Sequence, residues 1–186
     1  MQKAIFLDKD GTLVTDVPYN VNTSVVRLEK GVLEGLTALQ TSGYLLVIIS
    51  NQPGISMGLF SQNELEYLIA YMRDLFAKYD INITGFYYCP HKPAQKEENK
   101  INCSCRKPEP GLILRAAEEL DIDLNESWMI GDILNDVEAG VRAGCRTILI
   151  NNGNETEWEM NLVRMPDYLA GDFHDASEYI LSQTLM

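Results

Sequence analysis

The stretch K-A-I-F-L-D-K-D-G-T-L-V, residues 3–14, decides how this chain is read. Ala4 to Leu7 is an apolar run of strand length, and it ends abruptly in two carboxylates, Asp8 and Asp10, on either side of Lys9, before Gly11 breaks the pattern. Side chains alternate along extended backbone, so Asp8 and Asp10 face the same way, beyond the carboxyl edge of the strand. Two like charges held together call for a cation. A hard divalent ion that prefers oxygen ligands, Mg²⁺ above all, would be held by such a pair and would in turn hold a phosphate. Asp and Gly are also ordinary turn residues, so the stretch takes its meaning from the residues at the ends of the other strands.

Working outward, strands and helices alternate. Gly31 to Ser42 carries Val32, Leu33, Leu36 and Leu39 on one helical face, and Tyr44 to Ile49 is continuously apolar, as a central parallel strand covered on both faces would be. Ser61 and Glu64 make a capping box, and Leu65, Leu68, Ile69, Met72, Leu75 and Phe76 continue at helical spacing to about Tyr79. Further strands are expected at Ile83–Tyr88, Trp128–Ile130 and Arg146–Asn151, with helices over Leu112–Leu120, Asn135–Gly144 and the tail from His174. This order predicts a single α/β domain over residues 1–186, with a central parallel sheet between two helical layers. Ligands in such sheets bind beyond the carboxyl ends of the strands. Polar clusters stand at the ends or just after: Asp8 and Asp10, Ser50 and Asn51, Arg106 and Lys107, then Asp132 and Asp136.

Composition narrows the function. With 15 basic and 27 acidic residues the net charge is −12, which argues against nucleic acid as partner and repels anionic substrates at long range, so any phosphate must be captured locally. Apolar runs such as Tyr44–Ile49 are far too short to span a bilayer, and Met1-Gln2-Lys3 leads straight into the first strand without a signal-peptide pattern. A cytoplasmic protein without a membrane partner is expected, acting as a monomer. Of the four cysteines, Cys89, Cys103 and Cys105 fall close together with His91, which in such a chain points to metal before disulfide. Cys145 precedes an apolar strand and reads as a core residue.

The motifs D-K-D-G-T at 8–12, S-N-Q at 50–52, R-K-P at 106–108 and G-D-x-x-x-D at 131–136 resemble, over nearly the whole chain, those of the haloacid dehalogenase (HAD) superfamily phosphatases. C-P-H at 89–91 with C-x-C-R-K-P at 103–108 is similar to the zinc-loop branch of that superfamily, whose substrates include D-glycero-D-manno-heptose 1,7-bisphosphate and histidinol phosphate. The resemblance implies a three-layer Rossmann-like fold with a minimal cap and a zinc-binding loop over residues 89–105. It implies Asp8 as nucleophile, forming an aspartyl-phosphate, and Asp10 as general acid and then base. Mg²⁺ would sit on Asp8, Asp132 and the backbone carbonyl of Asp10. Ser50, Asn51 and Lys107 would hold phosphoryl oxygens. Asp136 is either support for Lys107 or an acid favoured by a helix N-terminus.

Cys89, His91, Cys103 and Cys105 supply four donors for tetrahedral Zn²⁺ and leave no open position, so the zinc would be structural. The polar residues Lys96, Glu97, Glu98, Asn99 and Lys100 between them offer little apolar surface on which a loop could fold without metal. Arg106 is expected to grip the far end of a phosphorylated sugar, because a guanidinium takes a second phosphate in bidentate fashion. That grip, and a span between His91 and Cys103 resembling the longer loop of the heptose enzymes, favour the heptose bisphosphate, cleaved at C7, over histidinol phosphate. Pro53 and Ile133 depart from the branch pattern at places that bear on how the rest of the substrate is held. A receiver-type phosphoacceptor domain, whose acceptor aspartate would end the third strand, and a noncatalytic zinc-loop module are the rival readings.

Overall fold

A computed structural model describes residues 1–93 and 103–184. In chain order the elements are β1 (Ala4–Leu7), α1 (Val32–Thr41), β2 (Leu45–Asn51), α2 (Gln62–Ala77), β3 (Ile83–Cys89), α3 (Gly111–Leu120), β4 (Trp128–Gly131), α4 (Leu134–Ala143), β5 (Arg146–Ile150), β6 (Tyr168–Ala170) and α5 (Phe173–Thr184). All six strands form one parallel sheet in the order β3-β2-β1-β4-β5-β6. β1 therefore lies at the point where the chain, having grown outward through β2 and β3, returns to build the other half from β4. The strand-order reversal opens a crevice directly beyond Leu7.

Alternation along β1 shows why both faces must be covered. Ile5 and Leu7 join a core with Leu36, Leu39, Leu68, Phe76, Phe173 and Ile180, from α1, α2 and α5. Ala4 and Phe6 join a second core with Ile113, Ala116, Met129, Ala139 and Cys145, chiefly from α3 and α4. Burying each large apolar side chain is worth roughly 1.5–3 kcal/mol, which is why a strand apolar on both faces settles in the middle of three layers. Cys145 sits in that second core, as its setting in the sequence suggests.

Element bounds follow the periodicity closely, and the Ser61–Glu64 capping box starts α2. β6 is the strand that the pattern did not show, since three residues bordered by Pro166 and Gly171 are too short for a period to register. The chain between β1 and α1 also carries backbone pairing. Glu29 N–H donates to Leu13 O at 3.0 Å and Thr15 N–H to Arg27 O at 2.9 Å, so the segment leaves and returns as a small antiparallel flap. Too few residues are present there for a folded lid domain, but enough for this. Among the described residues no helix is long and apolar enough to cross a membrane.

Candidate active site

Asp8 leaves the end of β1 and Asp132 the end of β4, neighbouring strands whose registers set Leu7 beside Ile130. The two carboxylates converge with that of Asp136, in the first turn of α4, and one oxygen from each lies within 4.8 Å of the others. Two glycines make this approach feasible. A Cβ on Gly11, whose φ is +84°, would stand 2.0 Å from Asp132 Oδ2, and one on Gly131 would stand 2.2 Å from Asp136 Cβ. Any side chain at either position would drive the acids apart.

Lys107 reaches into the cluster from the turn before α3. Its ammonium donates to Asp8 Oδ1 at 2.5 Å and to Ile49 O at 2.9 Å, and pairs with Asp136 Oδ1 at 2.7 Å. Two of these contacts are hydrogen bonds and the third is an ion pair, so the ammonium is not fully committed to them. All four charged side chains are almost wholly buried. Burial and the neighbouring Asp136 and Asp132 carboxylates push the Asp8 carboxyl well above its ordinary value, against the opposing pull of Lys107. Asp132 is pushed up to about 7 by burial and by Asp136, while the Asn154 hydrogen bond and Lys107 draw it down. Burial draws the Lys107 ammonium down, but Asp136 and Asp8 outweigh it and hold its proton well above the ordinary lysine value. Three carboxylates against one ammonium leave two negative charges in a buried site, which is what one divalent oxygen-seeking cation neutralises. The residues fit such an ion.

Asp136 serves both of the roles left open by the sequence. One oxygen pairs with Lys107, and the other accepts from the backbone N–H of Asp132 at 3.2 Å and of Ile133 at 3.3 Å, capping α4. Asn51 lines the cleft and also touches Lys107. Its side-chain amide donates to Lys107 O at 3.2 Å and accepts from Lys107 N–H at 3.0 Å, so it grips the lysine backbone. Ser50 is buried, and its Oγ accepts from Gln52 Nε2 at 2.8 Å. The Asp10 carboxylate stands apart from the three clustered acids: Lys9 Nζ donates to one oxygen and Gln52 Nε2 to the other at 3.1 Å.

Asp8, Asp10, Asn51, Arg106, Lys107, Asp132 and Asp136 all border one cleft of about 300 Å³. Pro53 and Ile133 line it too, as do Asp16, Pro18, Tyr19 and Asn20 from the flap. Arg106 is half-buried at the rim, with Nη1 donating to His91 O at 3.1 Å. Sequence patterns did not single out the flap residues, Asn152 or Asn154, and gave no role to Thr12 or Gln52, which stand inside the quoted motifs. Thr12 Oγ1 donates to Asp132 Oδ1 at 3.3 Å, Asn154 Nδ2 to Asp132 Oδ2 at 2.7 Å, and Asn152 Nδ2 to Gly11 O at 2.7 Å. The two asparagines come just after the end of β5, so the strand-end rule applied to a fifth strand would have found them.

The sulfur cluster lies beside this cleft. Cys89 ends β3, and its Sγ is 3.1 Å from Cys105 Sγ, 3.6 Å from Cys103 Sγ and 3.5 Å from His91 Nδ1, which is itself 3.3 Å from Cys105 Sγ. A tetrahedral zinc with bonds of about 2.0–2.3 Å has donor separations of about 3.3–3.8 Å; three of these four separations fall in that range and the Cys89–Cys105 one is slightly shorter, and the three cysteines are free thiols, so the set fits zinc. Residues 94–102 of the loop, including Lys96 to Lys100, lie outside the described residues. β3 ends in Cys89 and has no aspartate there, which removes the receiver reading.

Known proteins resemble this chain in sequence and in fold. The HAD-hydrolase-like family model matches residues 104–176. The D-glycero-beta-D-manno-heptose-1,7-bisphosphate 7-phosphatase of Haemophilus influenzae is 40% identical over 160 residues, spanning 86% of this chain and 87% of that protein. The Escherichia coli enzyme of the same name is 38% identical over 168 residues, 85% and 88% of the two chains. This chain belongs to that family of HAD phosphatases. A solved D,D-heptose 1,7-bisphosphate phosphatase from B. bronchiseptica, complexed with magnesium and phosphate, superposes with a TM-score of 0.80 at 27% identity, covering 97% of this chain and 99% of that one. The chain is thus a phosphatase of three-layer HAD fold, and the cleft at the β1–β4 switch point is where its phosphoryl chemistry is to be sought.

Proposed function

We propose that this phosphatase hydrolyses the C7 phosphate of D-glycero-D-manno-heptose 1,7-bisphosphate through an aspartyl-phosphate on Asp8. The observation that carries the reading is the buried Asp8–Lys107–Asp136–Asp132 cluster at the switch point, in a chain about 40% identical to heptose-bisphosphate phosphatases along most of its length. Asp8 attacks phosphorus as the bond to the C7 oxygen breaks, and the electron pair leaves with that oxygen, which takes a proton from Asp10. Asp10, now a carboxylate, accepts a proton from the water that attacks the aspartyl-phosphate, and inorganic phosphate departs with the Asp8 carboxylate restored. Mg²⁺ held by the Asp8 and Asp132 carboxylates and the Asp10 backbone carbonyl supplies neutralisation of phosphoryl charge when bound.

Lys107 keeps a positive charge against Asp8 and presents it to a phosphoryl oxygen beside Ser50, in a site whose surrounding protein is net negative. Asn51 aims that lysine by holding its backbone. Arg106, which lines the same cleft, would take the anomeric phosphate. The flap residues Tyr19 and Asn20 face the same space and bound the sugar from the other side. The same reading makes the chain one domain acting as a cytoplasmic monomer on a small sugar phosphate.

Phosphate release measured with heptose 1,7-bisphosphate, heptose 1-phosphate and histidinol phosphate tests the assignment. kcat/KM is expected to be highest for the bisphosphate, with the 1-phosphate left as product, and Arg106→Ala is expected to lose selectivity for the bisphosphate above all. A higher kcat/KM for histidinol phosphate would replace this substrate with the alternative.

A further inference from the structure

Gln52 is buried, lies beside the cleft and belongs to none of the groups that the reaction consumes. Its one amide nitrogen makes two contacts, donating to Asp10 Oδ2 at 3.1 Å and to Ser50 Oγ at 2.8 Å. An amide nitrogen carries two protons, and both are thereby committed. Its backbone N–H donates to Cys89 O at 2.7 Å, which moors the residue to the last residue of β3. The opposite oxygen of Asp10 accepts from Lys9 Nζ, and the Lys9 side chain is buried as well. Asp10 is far more exposed than Asp8, Asp132 and Asp136, with about 30% of its side chain open. Without donors on both sides its carboxyl would be free to rotate into the cleft or toward the flap.

We infer that Gln52 is a positioning residue for the acid–base step, fixing the rotamer of Asp10 so that its carboxyl meets the leaving oxygen, and tying that rotamer to the phosphate-side hydroxyl of Ser50. The inference rests on the reading of Asp10 as general acid. A proton donor acts only within hydrogen-bond reach of the atom it serves, and a misplacement of about 1 Å can cost on the order of 100-fold. Lys9 alone cannot do this, because a single donor on one oxygen leaves the carboxyl free to swing about that contact. The amide bridge supplies the second point that defines a direction. It also suits a glutamine, with one methylene more than Asn51 beside it, whose amide nitrogen reaches both Ser50 Oγ and the Asp10 carboxylate.

The test uses leaving groups of different need. kcat/KM covers events up to phosphorylation of Asp8, so it reads the acid role of Asp10 separately from its later role as base. Gln52→Met keeps the length and removes the donors, and is expected to lower kcat/KM for heptose 1,7-bisphosphate, whose alkoxide must be protonated, by about 10- to 100-fold. With p-nitrophenyl phosphate, whose phenolate departs without a proton, the loss is expected to stay within about threefold. Gln52→Asn, which keeps the amide but cannot reach both partners, is expected to show the same selectivity and covers the case in which the methionine variant does not fold. Asp10→Asn, run in parallel, is expected to give the same selective loss at larger size, about 100- to 10,000-fold. Equal losses on both substrates in the folded Gln52 variants, with a selective loss in Asp10→Asn, would overturn the positioning role. Equal losses in Asp10→Asn itself would instead remove the general-acid reading on which it rests.

Discussion

Two metal-binding clusters among the described residues are built on opposite plans. The sulfur cluster draws all four donors from Cys89 to Cys105, a short stretch joining one strand to one helix, and His91 is exposed while Cys103 and Cys105 are half-buried. The acid cluster draws Asp8, Asp132 and Asp136 from two strand ends and a helix start, with more than a hundred residues between the first and second, and buries all three. The local cluster can form wherever its loop can close, so its natural work is to organise that loop. The distant cluster exists only when β1 and β4 are paired, so the folded sheet holds it in place before any ion arrives. Lys107, two residues after Cys105, joins the two: the zinc loop delivers it and the acid cluster receives it.

The nucleophile is where that contrast can be broken most severely. Asp8→Asn is expected to lower turnover by about 10⁴-fold or more, since an amide does not attack phosphorus, while the fold survives because one of three crowded carboxylates has lost its charge. Phosphate release alongside a thermal melt checks both halves. Activity above a hundredth of the parent in a verified sample would sink the proposed mechanism.

Metal removal should separate the clusters next. Withdrawing Mg²⁺ alone is expected to stop turnover and to leave the zinc loop intact. Cys103→Ser is expected to lower the melting temperature and zinc content together, and to cost about 10- to 100-fold in activity through a displaced Lys107. Elemental analysis, melts and rates on the same samples decide the matter, and full activity in protein without zinc would contradict it.

A smaller effect, with a defined sign, concerns pH. In the metal-free fold Asp132 keeps its proton up to about 7, against an ordinary carboxylate value of 3.8. Between those values the folded chain binds more protons than the unfolded chain, so this group makes stability fall as pH rises across the window. Mg²⁺ opposes the loss by neutralising the carboxylates. At a hundredfold excess over its Kd it should add about 2.7 kcal/mol near neutral pH and much less near pH 5. Chemical denaturation with and without Mg²⁺ at the two pH values measures the difference, and an equal Mg²⁺ effect at both would refute the account.

The mildest change expected is Asn154→Ala. Loss of its 2.7 Å hydrogen bond leaves Asp132 less firmly aimed and more readily protonated. Mg²⁺ affinity is expected to fall about tenfold, with little change in rate at saturating metal. Calorimetric titration of Mg²⁺ provides the comparison.

These contrasts also show what could be read in one dimension. The apolar run of β1 with its paired acids, the capping box of α2 and the spacing of Cys89, His91, Cys103 and Cys105 are local patterns. Each is dictated by strand alternation, helical period or the reach of a short loop, and each stands in the structure at its expected place. Alternating strands and helices likewise implied the parallel sheet, because buried strands need helices on both faces. Other features have no local signature. That Asn51 grips the backbone of Lys107, that Asp136 divides its oxygens between a lysine and a helix cap, and that Thr12 and Asn154 flank Asp132 depend on which strand ends become neighbours. The short β6 and the flap over residues 13–29 were equally hidden, one too brief to show a period and the other held by backbone hydrogen bonds that any side chains would permit. Amino-acid order determined the donors and the strands that carry them. Only the packing of β1 against β4, which removes water and brings like charges within a few ångströms, decided which of those donors share a proton, a lysine or an ion.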